Sequence, residues 1–239
     1  MPDTQHFIFA LVEDFTHLAF ACAVDPLRIA NLISGQELYR WSYASLDGER
    51  AASSDGTMVL THHRFDDLPH SHRLFALSGI GVRQRDHRVL IAALRRADRM
   101  RNTRIGALCS GAYVLARAGF LDGRQAAIHW EFHDGFAEEF PEVNLVRAVF
   151  VSDEEFITAA GGTATADLML HLVEQDHGHD LSVAVADQMV YNAVRNATSA
   201  QRVSLQSRNG MRNAHLARAI TLMQAQLDEP VPPSTIAQE

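Results

Sequence analysis

Arg104-Ile-Gly-Ala-Leu-Cys109-Ser-Gly-Ala-Tyr-Val-Leu-Ala116 is the stretch whose reading decides the fold. An apolar run leads straight into a cysteine. A small residue and a glycine follow, and a helical pattern starts at once. This order predicts a buried strand over 104–108, a tight turn at Cys109 and a helix over 111–118. Gly106 and Gly111 fall where neighbouring backbones must approach closely. The turn has the geometry of a nucleophile elbow, with the cysteine held at a helix N-terminus. The partial positive charge there favours thiolate, so Cys109 is expected to have a lowered pKa and to be the more reactive of the two cysteines. The competing reading is a small buried cysteine that fills a packed turn. Cys22 falls in the middle of a helical pattern and reads as core.

Outward from the elbow, strands alternate with helices. His6–Val12 reads as a buried first strand, and Ala19–Ile33 as the helix after it, with Phe20, Val24, Leu27, Ile29 and Leu32 at helical spacing. Trp41–Leu46, Met58–Thr61 and Arg73–Leu77 read as strands, the last broken by Ser78-Gly79-Ile80-Gly81. Asp86–Met100 is a strongly amphipathic helix. A strand ends at Ile128, and a helix over Glu131–Phe140 is stopped by Pro141. Leu145–Val151 and Phe156–Ala160 read as strands, and Thr165–Asp176 and Ser182–Ala193 as helices. The expectation is an α/β fold: a three-layer α/β/α sandwich with a mostly parallel, flavodoxin-like sheet.

Composition agrees. The chain has 239 residues, 47% hydrophobic and 21% charged, which excludes disordered, collagen-like and coiled-coil classes. Its length fits one α/β domain with an appendage. No apolar stretch is long enough to span a bilayer, and no basic segment leads into an apolar one at the N-terminus, so a cytoplasmic location is expected. Two cysteines make no disulfide framework. All 21 basic residues are arginine, and the net charge is −8. The arginines over 83–104 read as a solvated face. Those from Arg195 to Arg218 lie where composition changes. Residues 196–213 are polar and aperiodic and read as a linker. His215–Leu227 is an amphipathic helix whose stripe of Leu216, Ile220, Met223 and Leu227 lacks a partner, so the chain reads as cut within a second, helical domain. The 13 histidines are scattered without a cysteine or carboxylate frame, so no metal and no cofactor is expected.

Gly-Ala-Leu-Cys109-Ser-Gly-Ala, then Ala118-Gly-Phe-Leu-Asp-Gly-Arg124 and Ile128-His-Trp130, resemble the class I glutamine amidotransferase-like superfamily in its PfpI branch. More narrowly, with Asp25-Pro-Leu-Arg-Ile-Ala-Asn31, Ala160-Gly-Gly-Thr-Ala164 and Gln201-Arg202, the chain resembles the sensor domain of GlxA-type regulators of the AraC family. His215–Gln224 then resembles the opening helix of an AraC-type helix-turn-helix domain. The resemblance implies a ligand-sensing domain over 1–195, a linker over 196–213 and a truncated reader over 214–239. It implies partners to match: a small-molecule effector, DNA through the reader, and a second copy in a homodimer.

The same resemblance assigns roles. Cys109 matches the elbow cysteine, Gly79 and Ser110 supply backbone N–H groups facing an oxyanion, and His129 matches a histidine near the cysteine. Two departures weaken catalysis. Ser110 stands where hydrolytic relatives carry a histidine base, and Ala19 stands where an acidic side chain reaches over the thiol. A nucleophile needs a base within reach. The expected function is therefore sensing of a small nitrogenous metabolite such as an amino acid, amine or betaine, without chemistry. The alternative is a cysteine-dependent hydrolase, amidase or deglycase. The ligand residues expected are Cys109, Ser110, Gly79, Ile80, His129 and Trp130, with Glu13, Asp14 and Phe15 from the first loop and Gly162 and Thr163 from a closing loop. The 239 residues are expected to show no selective DNA binding at physiological salt, since they hold only the first helix of the reader and a charge that opposes phosphate. A sequence-selective mobility shift with this chain would overturn that.

Overall fold

The computed structural model describes residues 4–100 and 102–201, with Ala219 and Met223 as isolated helical positions. One unit runs through Ala200, and Gln201 begins another. Those positions apart, the expected linker beyond 201 and the expected reader over 214–239 lie outside the described residues. In chain order the elements are β1 (Gln5–Leu11), α1 (His17–Ser34), β2 (Tyr39–Ser45), β3 (Arg50–Ala52), β4 (Met58–Leu60), β5 (His63–Arg64), β6 (Arg73–Ser78), α2 (Arg88–Arg99), β7 (Arg104–Cys109), α3 (Ala112–Arg117), β8 (Gln125–Ala127), α4 (His133–Glu139), β9 (Asn144–Val146), β10 (Phe150–Ser152), β11 (Phe156–Ala159), α5 (Ala164–His177) and α6 (His179–Gln188). Short 3-10 turns lie at Val82–Gln84 and Trp130–Phe132.

The main sheet has the order β10-β11-β7-β6-β1-β2-β5. All of its pairings are parallel except that of β10 with β11. With β1 between β2 and β6, the central five strands have the flavodoxin-like order, and the winding reverses at β1/β6. Alternation along β1 sorts the core. Phe7, Phe9 and Leu11 pack on one side with Leu27 of α1, Leu168 of α5 and Val185 of α6. Ile8 and Ala10 pack on the other with Leu90 of α2, Val114 of α3 and Phe136 of α4. A strand apolar on both faces needs helices on both, so the expected three-layer sandwich is the observed one.

Gly106 and Gly111 stand where closeness requires them. A Cβ at 106 would lie 2.3 Å from the Phe75 ring, and one at 111 would lie 2.2 Å from the Ala76 carbonyl oxygen. Several elements differ from the sequence reading, among them the two-residue strand β5, which that reading lacks. Arg50–Ala52, polar at its start, pairs antiparallel with β4 in a separate ribbon. The single strand expected over 145–151 is two strands. β9 pairs with β8, while Ala148 bridges Ala200 and the Val149 N–H donates to Ser199, which diverts the chain between the two strands. The last helix stops at Gln188, short of the expected Ala193. Val190 turns left-handed at φ +54°, and Tyr191 and Arg195 fold back onto Asp167.

At the amino ends of the strands, Arg73 donates to Asp176 at 2.6 Å, with side chains only 6% and 16% exposed. The Tyr39 hydroxyl donates to the same carboxylate at 3.1 Å. Burial next to that carboxylate pushes the Tyr39 pKa up. This pair ties the β6 strand to the end of α5. Arg73→Met leaves a largely buried carboxylate with one neutral donor, and should cost about 3 kcal/mol. Tyr39→Phe should cost about 1 kcal/mol. Urea unfolding at neutral pH checks the order of the two losses.

Candidate functional site

Cys109 ends β7 in the left-handed region at φ +60°, which costs a non-glycine residue about 1–2 kcal/mol. The surroundings hold it there. Ser110, fully buried, donates its hydroxyl to the Gly79 carbonyl at 2.6 Å and so ties the elbow to the loop after β6. Phe15 bridges Gly79 on one side and Ser53 on the other. On the remaining side lies Gly161, at φ +88°. A Cβ there would fall 2.5 Å from Cys109 Cβ, so only glycine fits. The β1, β6, β7 and β11 loops thus meet at one point beyond the carboxyl ends of their strands, beside the reversal in winding, where open α/β sheets bind ligands.

The thiol is 4% exposed. The expected lowered pKa is corrected. Burial pushes the Cys109 thiol up, and the Glu131 carboxylate pushes the same way, against hydrogen bonds from the Thr16 hydroxyl and the Ser110 N–H. The helix behind it spans only Ala112–Arg117, too short to offset desolvation. Cys22 is pushed up as well, chiefly by burial, and both cysteines are free.

The structure brings Cys109, Ser110, Gly79 and Phe15 together. His129 is half-buried, its pKa lowered by desolvation, and no hydrogen bond joins it to the thiol. Its Nδ1 accepts the Glu131 N–H at 3.4 Å, and its ring lies 5.5 Å from that of Trp130. Asp14 accepts an ion pair from Arg85. Glu13 accepts the Ala52 N–H and lines a cavity of about 680 Å³ with Arg50, Gln84 and Leu90, which Cys109 does not line. Ile80 is exposed, Gly162 sits beside Leu18, and Thr163 accepts from Arg195 at 2.7 Å. Among the described residues no cluster of metal-ligating side chains occurs, and no helix is long and apolar enough to cross a membrane.

Two residues of this site escaped the sequence reading. Thr16 is the N-cap of α1, yet its hydroxyl makes no cap and lies 3.4 Å from Cys109 Sγ. It occupies the place over the thiol that Ala19, fully buried one turn on, cannot reach. The helix-start rule singles out a threonine there, though not its second partner. Glu131, two residues after His129, carries no local pattern that marks it.

The DJ-1/PfpI family pattern matches residues 8–175, from β1 through most of α5. The chain belongs to the DJ-1/PfpI family. Within that family it is 38% identical over 226 residues to the HTH-type transcriptional regulator GbdR of Pseudomonas aeruginosa, an alignment covering 93% of this chain and 60% of that protein. It is 33% identical over 236 residues to the HTH-type transcriptional regulator GlxA of Rhizobium meliloti, covering 98% and 72%. The crystal structure of an AraC family transcriptional regulator from Pseudomonas putida superposes with a TM-score of 0.70 at 28% identity, over 77% of this chain and 99% of that one. A more distant relative is an enzyme, the isonitrile hydratase of Pseudomonas putida, 29% identical over 143 residues, covering 58% of this chain and 60% of that enzyme. The expected resemblance to GlxA-type regulators with a PfpI-like domain is borne out. The chain spans about 60% of the length of GbdR.

A raised thiol pKa fixes how Cys109 reacts in this DJ-1/PfpI fold. At pH 7 it is a neutral thiol, and its thiolate fraction grows only as pH climbs past the ordinary cysteine range. Iodoacetamide labelling of Cys109, followed by peptide mass spectrometry, should keep accelerating beyond pH 9. A rate that levels off near pH 7 would show an activated thiolate instead.

Proposed function

We propose that residues 1–195 form the ligand-sensing domain of a transcription regulator, joined by 196–213 to an AraC-type reader that begins at 214. The chain works in the cytoplasm as a homodimer that binds a small-molecule effector, and it reaches DNA through the reader. One observation carries the non-enzymatic reading: the elbow cysteine is buried and hydrogen-bonded to Thr16, without a base on its sulfur. The naming of GbdR and GlxA as HTH-type regulators supports the same reading.

The ligand is a small nitrogenous metabolite, an amino acid, amine or betaine. Its carboxylate lies toward the Ser110 and Gly79 N–H groups above Cys109. Its cationic end lies toward the Trp130 ring and the Glu131 carboxylate, flanked by His129. Asp14 is already matched by Arg85, and Phe15 is fully buried, so these two shape the wall and leave the cation to Trp130. Ile80, Gly162 and Thr163 border the entrance, while Glu13 belongs to the neighbouring cavity beside Arg50 and Gln84.

A thermal-shift screen of amino acids, polyamines and betaines tests this. The best hit, supplied at about 100 times its Kd, should stabilise the fold by about 2.7 kcal/mol. Trp130→Ala should weaken a cationic hit by about 1–2 kcal/mol. Cys109→Ala should still bind, and the hit should be recovered unchanged. An uncharged sugar or a nucleotide as best hit would overturn the ligand class. Turnover that disappears in Cys109→Ala would move the chain to the alternative, a cysteine-dependent hydrolase, amidase or deglycase.

A further inference from the structure

Asp167 lies in the first turn of α5, and its side chain is 0% exposed. A carboxylate so placed is costly unless fully paired. Among the described residues, the hydrogen-bond partners of its carboxylate come from the chain after α6. The Arg195 N–H donates to Oδ1 at 2.8 Å, Arg195 Nε to Oδ2 at 2.8 Å, and the Tyr191 hydroxyl to Oδ1 at 3.0 Å. Arg195 Nη2, itself 2.6 Å from Asp167 Oδ2, also donates to Thr163 Oγ1 at 2.7 Å. Thr163 follows Gly161 and Gly162, both left-handed, and Gly161 packs against Cys109 at a distance that admits no side chain. Four residues after Arg195, Ser199 accepts from Val149, and Ala200 bridges Ala148. The first unit ends there.

We propose that Arg195 is a latch between the elbow and the exit of the domain. The Gly161–Thr163 loop cannot shift away from Cys109 without moving the oxygen on which Arg195 rests. Arg195 cannot leave without stripping a buried carboxylate of its charged partner. The two ends therefore share one equilibrium. In the closed state the loop covers the thiol and residues 190–200 are tied down. In the open state the thiol is accessible and the exit segment is free. Whatever enters above Cys109 selects the open state, and the change arrives at residue 201, where the second unit starts. This rests on the sensor reading above for its purpose, but its physics needs only the elbow and the exit segment.

Linkage makes the coupling reciprocal, so it can be read without an effector. Iodoacetamide is the probe, with Cys109 followed by peptide mass spectrometry. Arg195→Gln should raise the Cys109 alkylation rate about fivefold or more, and Thr163→Val, which removes only the loop contact, should raise it in the same direction. Arg28→Ala, on the exposed face of α1, should not. In the reverse direction, protein already carbamidomethylated at Cys109 should be cut by trypsin after Arg195 about fivefold faster than untreated protein. Unchanged alkylation in both latch variants, each shown to unfold cooperatively, overturns the proposal. So does an unchanged cleavage rate after Arg195. Should Arg195→Gln fail to fold, Thr163→Val and the cleavage rate decide. If no metabolite binds, the sensor reading falls, while the reciprocity between Cys109 and Arg195 is still decided by these rates.

Discussion

Close backbone contact around Cys109 is the constraint on which the rest is arranged. Four loops reach one residue whose own conformation is unfavourable, and glycines at 79, 111 and 161 let them do so. The Ser110 hydroxyl and the Phe15 bridges lock the convergence from two sides. Strained backbone persists only where surrounding structure over-determines it, and here the sheet, two loops and the start of α3 all do.

That arrangement separates two properties which an elbow usually joins. The position places a cysteine beneath the crevice at the carboxyl ends of the strands. Activation needs a cation or a base at the sulfur, and among the described residues its hydrogen bonds are with the Thr16 hydroxyl and the Ser110 N–H. Burial and the Glu131 carboxylate oppose ionisation of the sulfur, and the hydrogen bonds of the Thr16 hydroxyl and the Ser110 N–H offset this only in part. The elbow geometry is thus kept while the sulfur is held back from ionising.

Much of this was legible before any coordinates. Strand and helix alternation, the apolar runs at β1, β6 and β7 and the glycine pattern of the elbow each follow from local rules, and those three strands appear where the apolar runs put them. What was not legible involves partners distant in sequence. Nothing in Arg50-Ala-Ala marks a strand until Met58–Leu60 is beside it. Leu145–Val151 has the composition of one strand, but Ser199 and Ala200 divert its middle. The Ser182–Ala193 pattern continues past Gln188, yet a buried Asp167 draws Tyr191 and Arg195 out of register. At the site, Cys109, Ser110 and Gly79 were found because motif spacing carries them. The thiol pKa runs opposite to what the motif implies because the helix behind it is six residues long and Cys109 is buried.

The rims of the main sheet have a consequence for how copies of this molecule can meet. One rim is β5, only His63 and Arg64, and the other is β10, three residues beside a stretch already bridged to Ala200. Such short margins, one carrying a cation, offer too few free backbone groups to recruit a foreign strand. The sheet cannot be extended from molecule to molecule, which removes the common route to fibrous aggregates. For the main sheet, contacts between copies are left to its helices and loops rather than to strand pairing, so surface substitutions there leave its ladder untouched.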